Sequence, residues 1–187
     1  MNDKNYIKDI LKELTQNCQY INYGDLNCLV DEIKKANRIY LSGKGRSGLA
    51  ISAFANRLMH LGFKVSLIGE VTTPHTKEND LLIIGSGSGE TESLVSLAKK
   101  AKKIGLKIAL ITMDVESSIA KIADIIIVLP GVSPKLKNER MYIKSIQPMG
   151  SAFEQISFLT YDAIVLQIMN EIGETSDEMF SRHADLE

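Results

Sequence analysis

Six consecutive residues, Ser86-Gly87-Ser88-Gly89-Glu90-Thr91, place three hydroxyls and two glycines between an apolar run at 81–84 and a helical pattern from Glu92 onward. A strand that delivers such a loop onto a helix start offers a ligand the unpaired N–H groups of the first turn and the positive end of the helix dipole. Glycines let the backbone close around that ligand, and hydroxyls add short donors. The combination suits a phosphate monoester. A plain N-cap would need only one such side chain. Ser86, Ser88 and Thr91 are therefore expected as phosphate contacts, with the backbone amides of Gly87 and Gly89 contributing. Glu90 would be repelled by a bound phosphate, so it should point away and offset the helix dipole.

A second loop has related parts. Gly43-Lys44-Gly45-Arg46-Ser47-Gly48 follows a strand-like run at 38–42 and precedes an apolar helix over 47–61. The glycines fit G-x-G-x-x-G, the dinucleotide fingerprint, and Glu70 stands near the spacing of a ribose-binding acid. Lys44, Arg46 and Ser47 instead favour a terminal phosphate with two charges. A dinucleotide fold also has no need of the second hydroxyl-rich loop. Gly45, Arg46 and Ser47 thus join the expected phosphate-binding set; for Arg46 the plainer reading is a solvated loop charge.

These loops need a scaffold. The chain has 187 residues, 44% hydrophobic, with a net charge of −1 and a pI near 6.3. That suffices for one compact domain with its own core. The charge balance offers no basic face for nucleic acid. No apolar run approaches the roughly 20 residues that span a bilayer. The polar N-terminal segment does not read as a signal peptide, so a cytoplasmic protein is expected. Cys18 and Cys28 lack metal-ligand spacing, and His60, His75 and His183 lie far apart, so no metal site is expected.

From residue 38 onward, apolar runs alternate with helical patterns. Strands are expected at 38–42, 64–67, 81–84, 107–112 and 124–129, with helices at 47–61, 90–104 and 117–123. Short continuous apolar runs are the mark of parallel strands covered on both faces. The order predicts an α/β fold: a doubly wound five-stranded parallel sheet with ligands at the carboxyl ends of its strands. A single domain over 1–187 is expected, with N-terminal helices in 1–36, the α/β core in 37–131 and C-terminal helices in 147–187. Ile7, Ile10, Leu11 and Leu14 give the first helix its stripe, Tyr23-Gly24-Asp25 breaks the pattern, and Asp25 is expected to cap the second helix. The connection 131–146 should leave the sheet and cross the surface. The helix expected over 149–171 carries Phe153, Ile156, Leu159, Ile164 and Ile168, widened by Phe158, Tyr161, Val165 and Met169. That stripe exceeds what one core face needs, which suggests packing on another subunit. Thr175 and Glu178 have the spacing of a capping box for a last helix.

The two loops together resemble the sugar isomerase (SIS) domain, whose flavodoxin-like sheet agrees with the alternation above. Four further segments resemble the 6-phospho-3-hexuloisomerases: Arg57-Leu-Met-His-Leu-Gly-Phe63, Gly69-Glu-Val-Thr-Thr-Pro74, Gln147-Pro-Met-Gly-Ser-Ala-Phe-Glu-Gln155 and the tail Arg182-His-Ala-Asp-Leu-Glu187. The resemblance covers almost the whole chain. Lys44 fills a variable loop position, and Asp185 stands where Asn is usual. The resemblance implies an isomerase that interconverts D-arabino-hex-3-ulose 6-phosphate and D-fructose 6-phosphate, the second step of the ribulose monophosphate route of formaldehyde fixation. It also implies a homotetramer with active sites at subunit interfaces, and no metal or organic cofactor.

Moving a carbonyl between adjacent carbons through an enediol needs a base, a proton donor and a firm hold on the distant phosphate. The phosphate grip falls to Ser47, Ser86, Ser88 and Thr91. The resemblance assigns the base to Glu154, although Ser151 and Glu154 also have capping-box spacing. It assigns the acid, or ring-opening group, to His183, in a tail able to reach a neighbouring subunit. Thr72 and Thr73 are candidate sugar contacts, His60 reads as a packed helix residue, and His75 has weaker support. The alternatives are another isomerase of the same domain, such as an arabinose 5-phosphate isomerase, or a non-catalytic sugar-phosphate sensor. Against the sensor, residues 1–36 are too short and too acidic for a DNA-binding module.

Overall fold

The computed structural model describes residues 5–134 and 144–185. Five strands form one parallel sheet: β1 (Ile39–Gly43), β2 (Val65–Leu67), β3 (Leu81–Gly85), β4 (Lys107–Thr112) and β5 (Ile125–Val128). Their order in the sheet is β2-β1-β3-β4-β5. The helices are α1 (Tyr6–Cys18), α2 (Tyr23–Lys35), α3 (Gly45–His60), α4 (Glu92–Ile104), α5 (Ser151–Ile172) and α6 (Ser176–Phe180).

The strands form where Ile, Leu and Val run together because both faces of the sheet are covered. Side chains alternate between the faces. Leu81 and Ile83 of β3 join one core cluster with Leu29, Ile33, Phe54, Phe153 and Ile164, drawn from α2, α3 and α5. Leu82 and Ile84 join the other, with Leu94, Ala98 and Ala101 of α4 and Ile119. So α3, which leads from β1, and α4, which leads from β3, lie on opposite faces. The chain winds one way from β1 and the other way from β3, and a crevice opens between the two departing loops.

Two local expectations change, at the second helix and at 117–123. The second helix begins at Tyr23, and its cap is Asn22, whose side-chain oxygen accepts from the Gly24 amide at 2.9 Å. Asp25 falls inside the first turn, where it offsets the dipole instead of capping. The segment 117–123 holds only a 3-10 turn, Ala120–Ile122, because the Ser117 hydroxyl bonds the Asp114 carbonyl and accepts from Ala120, which tightens the chain. Residues 135–143 of the expected surface connection lie outside the described residues.

The Thr175–Glu178 capping box is present: Thr175 Oγ1 accepts from the Glu178 amide at 3.2 Å, and Glu178 accepts from the Thr175 amide at 2.8 Å. In α5, Phe153, Ile156, Ile164 and Ile168 face the core, whereas Phe158, Leu159 and Leu166 stay exposed. Phe54 of α3 stacks on Tyr161 of α5, with ring centroids 4.7 Å apart and planes within 8°. This pair fastens the two helices that flank the crevice, and burial pushes the Tyr161 phenol above its usual range. Phe54→Ala should cost about 3–5 kcal/mol, read as a lower urea midpoint. An unchanged midpoint would mean that this seam contributes little.

Candidate active site

The loops after β1 and β3 open into one cavity of about 510 Å³, lined by Lys44, Arg46 and Ser47 from the first and by Ser86, Ser88 and Thr91 from the second. The β3 loop is held open from behind. Gly87 accepts from the Met113 amide at 3.0 Å and from the Thr112 hydroxyl at 3.1 Å, while the Ser86 amide donates to Ile111 at 3.0 Å. Gly89 turns with a φ of +60°, and a Cβ there would lie 2.0 Å from Ser117 Oγ. Only glycine makes this turn against its neighbour. The amides of Gly87, Ser88 and Thr91 have no hydrogen-bond partner among the described residues. Together with the first amides of α4 they form an anion-binding concavity.

Hydroxyl placement follows from the same loop. Ser86 is buried, and its oxygen accepts from the Gly89 amide at 3.2 Å. Ser88 Oγ accepts from Glu90 at 3.3 Å. In both, the O–H donor is left over for a ligand. Thr91 is the N-cap residue of α4, yet its side chain makes no cap bond, so its hydroxyl too is available to the cavity. Glu90 does turn away. Its carboxylate accepts from the Ser118 amide at 2.6 Å, and chiefly that bond holds its pKa below the ordinary carboxylate range. It is tied to the turn ahead of the 3-10 segment and not to α4, whose first-turn acid is Glu92.

Glu154, in the first turn of α5, lines the same cavity. Its capping-box alternative does not form: Gly150 takes the N-cap position of α5 without a side-chain bond. The Glu154 carboxylate instead accepts from Arg46 Nε. The Glu154 side chain is 19% exposed and that of Arg46 61%. Arg46 spends one of five N–H donors on this pair and keeps its terminal nitrogens for a sugar or phosphate oxygen. The cavity thus sets anion-binding amides and hydroxyls against one half-buried carboxylate. That arrangement can hold a phosphate and move a proton a few carbons away.

Other expected residues lie elsewhere. His183 borders a separate cavity with Arg57, His60, Asp162, Met179 and Phe180. Its ring stacks on His60 at 5.2 Å and on Phe180 at 5.8 Å. His60 is buried in α3, as expected of a packed residue, with Nδ1 3.3 Å from Arg57 Nη1. Arg182 seats the tail there by donating to the His60 carbonyl at 2.8 Å and to Glu174 at 2.7 Å. Thr72 and Thr73 follow β2 and do not line the phosphate cavity. The Thr73 hydroxyl donates to its own loop, at the Leu67 carbonyl. His75 folds over Tyr40, whose hydroxyl donates to the His75 carbonyl at 3.1 Å.

Sequence reasoning missed Met149, Met113 and Phe153 as cavity walls. The signal for Met149 was its place in the Pro-Met-Gly segment, ahead of the long helix. An apolar groove adjoins Glu154 and Arg46, lined by Leu11, Leu49, Phe158 and Leu159.

Comparison with known proteins agrees with this geometry. The SIS domain profile matches residues 32–158. A curated Bacillus subtilis protein named 3-hexulose-6-phosphate isomerase is 48% identical over 187 residues, the full length of both chains. A solved structure from Methanococcus jannaschii, for which a molecular function of 3-hexulose-6-phosphate isomerase is inferred, superposes with a TM-score of 0.76 at 38% identity, covering 95% of this chain and 93% of that one. The crystal structure of a hypothetical protein superposes with a TM-score of 0.87 at 37% identity, covering 97% and 95%. With the phosphate loops and Glu154 in one crevice, these similarities establish that the chain belongs to the SIS domain family, among the 3-hexulose-6-phosphate isomerases.

Proposed function

We propose that the protein interconverts D-arabino-hex-3-ulose 6-phosphate and D-fructose 6-phosphate through a 2,3-enediol. The observation that carries this is one cavity lined both by the hydroxyl-and-amide cradle and by the Glu154 carboxylate. Ser47, Ser86, Ser88 and Thr91 grip the phosphate, with the Gly87 amide, Gly45 and Arg46 beside it. Glu154 takes the proton from C2 of the 3-hexulose as the carbonyl oxygen at C3 gains one. The enediol then gives up its O2 proton, restoring the acid that protonated O3, as carbon 3 gains a proton from the same carboxyl. The reaction balances within the sugar. The phosphate grip holds the reacting carbons in register with the carboxylate.

His183 would act from a second copy of the chain. Its own cavity is distinct from that of Glu154, which favours a site assembled from two subunits. The exposed groove of Leu11, Leu49, Phe158 and Leu159 lies at the edge of the Glu154 cavity and offers the surface for such an assembly. A homotetramer is the proposed state. Cytoplasmic formaldehyde fixation by the ribulose monophosphate route, downstream of a hexulose-phosphate synthase, is the proposed setting.

Fructose 6-phosphate incubated with the protein in heavy water should take up deuterium beside the carbonyl and yield the 3-hexulose phosphate by NMR. Tight binding without exchange would indicate a sensor; exchange only with arabinose 5-phosphate would indicate a different isomerase. Glu154→Gln should lower kcat about 10²–10⁴-fold, the range for a lost general base. Ser88→Ala and Thr91→Ala should each raise KM about tenfold, as expected for one bond to a charged group. Mixing the inactive variants Glu154→Gln and His183→Ala, then exchanging subunits, should restore a measurable fraction of the rate. Continued inactivity of the hybrid would sink the shared site.

A further inference from the structure

A polar seam joins α1 to the start of α5. Glu13 is 8% exposed, on the inner side of α1. Its carboxylate accepts from the Ser145 hydroxyl at 2.6 Å and from the Ile146 amide at 3.2 Å, across more than 130 residues of chain. These are its hydrogen-bond partners among the described residues. A buried carboxylate whose partners among the described residues are neutral donors is a poor choice for stability alone, since an apolar side chain of similar size packs there without desolvation. The nearby amide nitrogens of Asn17 and Gln147 are also buried without a hydrogen-bond partner.

The segment that Glu13 holds leads straight to the base. Ser145 Oγ accepts from the Gln147 amide at 3.0 Å and closes a turn. Met149 then adopts a φ of +51°, a left-handed conformation that a non-glycine residue keeps only where its surroundings impose it. The carbonyls of Pro148 and Gly150 accept from Ser151 at 3.1 Å and Glu154 at 3.0 Å, which begins α5. Gly150 supplies no side-chain cap, so the register of this helix start is not set by its own cap. Core packing of Ala152 and Phe153 and the Arg46–Glu154 pair hold the helix side, and Glu13 is the anchor of the segment that leads into it.

We propose that Glu13 is a positioning residue. Through Ser145 and Ile146 it fixes where α5 begins, holds Met149 in its left-handed turn, and so aims Glu154 into the cavity. The catalytic part of this inference rests on the base role proposed above for Glu154.

The experiment pairs hydrogen exchange with kinetics on the full-length protein. In Glu13→Ala, amides in 144–156 should exchange at least tenfold faster, while those of β1, β3 and α4 keep their rates. With the 3-hexulose phosphate, kcat should fall at least tenfold. Binding of sorbitol 6-phosphate, which keeps the phosphate but has no carbonyl, should stay within twofold. Glu13→Gln, which keeps an acceptor for Ser145, should recover most of the lost rate. Adding Glu13→Ala to Glu154→Gln should lower the rate no further. Ser145→Ala removes the same tie from the other end and serves should Glu13→Ala fail to fold. Unchanged exchange over 144–156, or faster exchange with full kcat, would overturn the proposal, as would a joint collapse of sorbitol 6-phosphate binding and kcat. If the wild-type protein does not act on the hexulose phosphate, the functional reading falls, and the exchange rates still decide whether Glu13 seats α5.

Discussion

The site depends on one piece of register: Gly43 at the end of β1 stands opposite Gly85 at the end of β3. Two neighbouring parallel strands that finish level release their loops at the same height. Because α3 and α4 then leave on opposite faces, neither loop fills the space between them. The first loop also depends on a backbone contact. A Cβ on Gly43 would lie 3.0 Å from Gly48 Cα, and one on Gly48 would lie 3.0 Å from the Gly43 carbonyl oxygen. That approach lets α3 begin directly over its own strand, with Arg46 and Ser47 lining the cavity shared with the β3 loop. A side chain at either glycine would force the helix outward and widen the cradle.

Charge follows the same economy of placement. A site for a phosphate dianion must keep carboxylates at a distance while retaining one for chemistry. Glu90, beside the cradle in sequence, is drawn off by the Ser118 amide. The lowered pKa works in one direction. The bond stabilises the fold above the ordinary carboxylate range and is lost as the pH falls through the depressed value. Near neutral pH Glu90 is therefore charged and fastened outside the cavity. Glu154 stays inside, tied to Arg46 of the phosphate loop. A guanidinium at that position reaches both the carboxylate and an incoming anion, which couples the binding wall of the cavity to its reactive wall.

What was legible in the sequence was what depends on neighbouring residues. The five strands are uninterrupted apolar runs, and the two loops carry their own glycines and hydroxyls, so sheet, crevice and cradle could be read directly. Local competition blurred the details. Asn22 and Asp25 are both good caps, and tertiary placement of the chain at Asn22 decided between them. Ser151 and Glu154 have capping-box spacing, but the Arg46 guanidinium binds the carboxylate more strongly than a backbone amide would. Long-range ties left no trace in the pattern. Glu13 looks like one more polar residue on a surface helix, because its partners lie more than 130 positions away. The position of His183 was equally hidden, since a tail motif names a residue without saying which cavity it enters.

That last separation has a physical logic. Within one chain the cradle and Glu154, the proposed base, come from the sheet crevice and α5, while the histidine pair lies at the far end of α3, beside α5 and α6. An active site that closes on its substrate expels water from around the reacting groups, and the Glu154 cavity is open to solvent in the single chain. The neighbouring groove leaves Leu49 73% and Leu11 57% exposed, a strip of apolar surface along the open side of the Glu154 cavity. Covering that strip with a second copy would bury apolar area and remove water from the carboxylate in one step. Association and closure of the site would then draw on the same contact. On the proposed reading the exposed leucines would serve the site as the hydroxyls do, by excluding water where the hydroxyls bind the ligand.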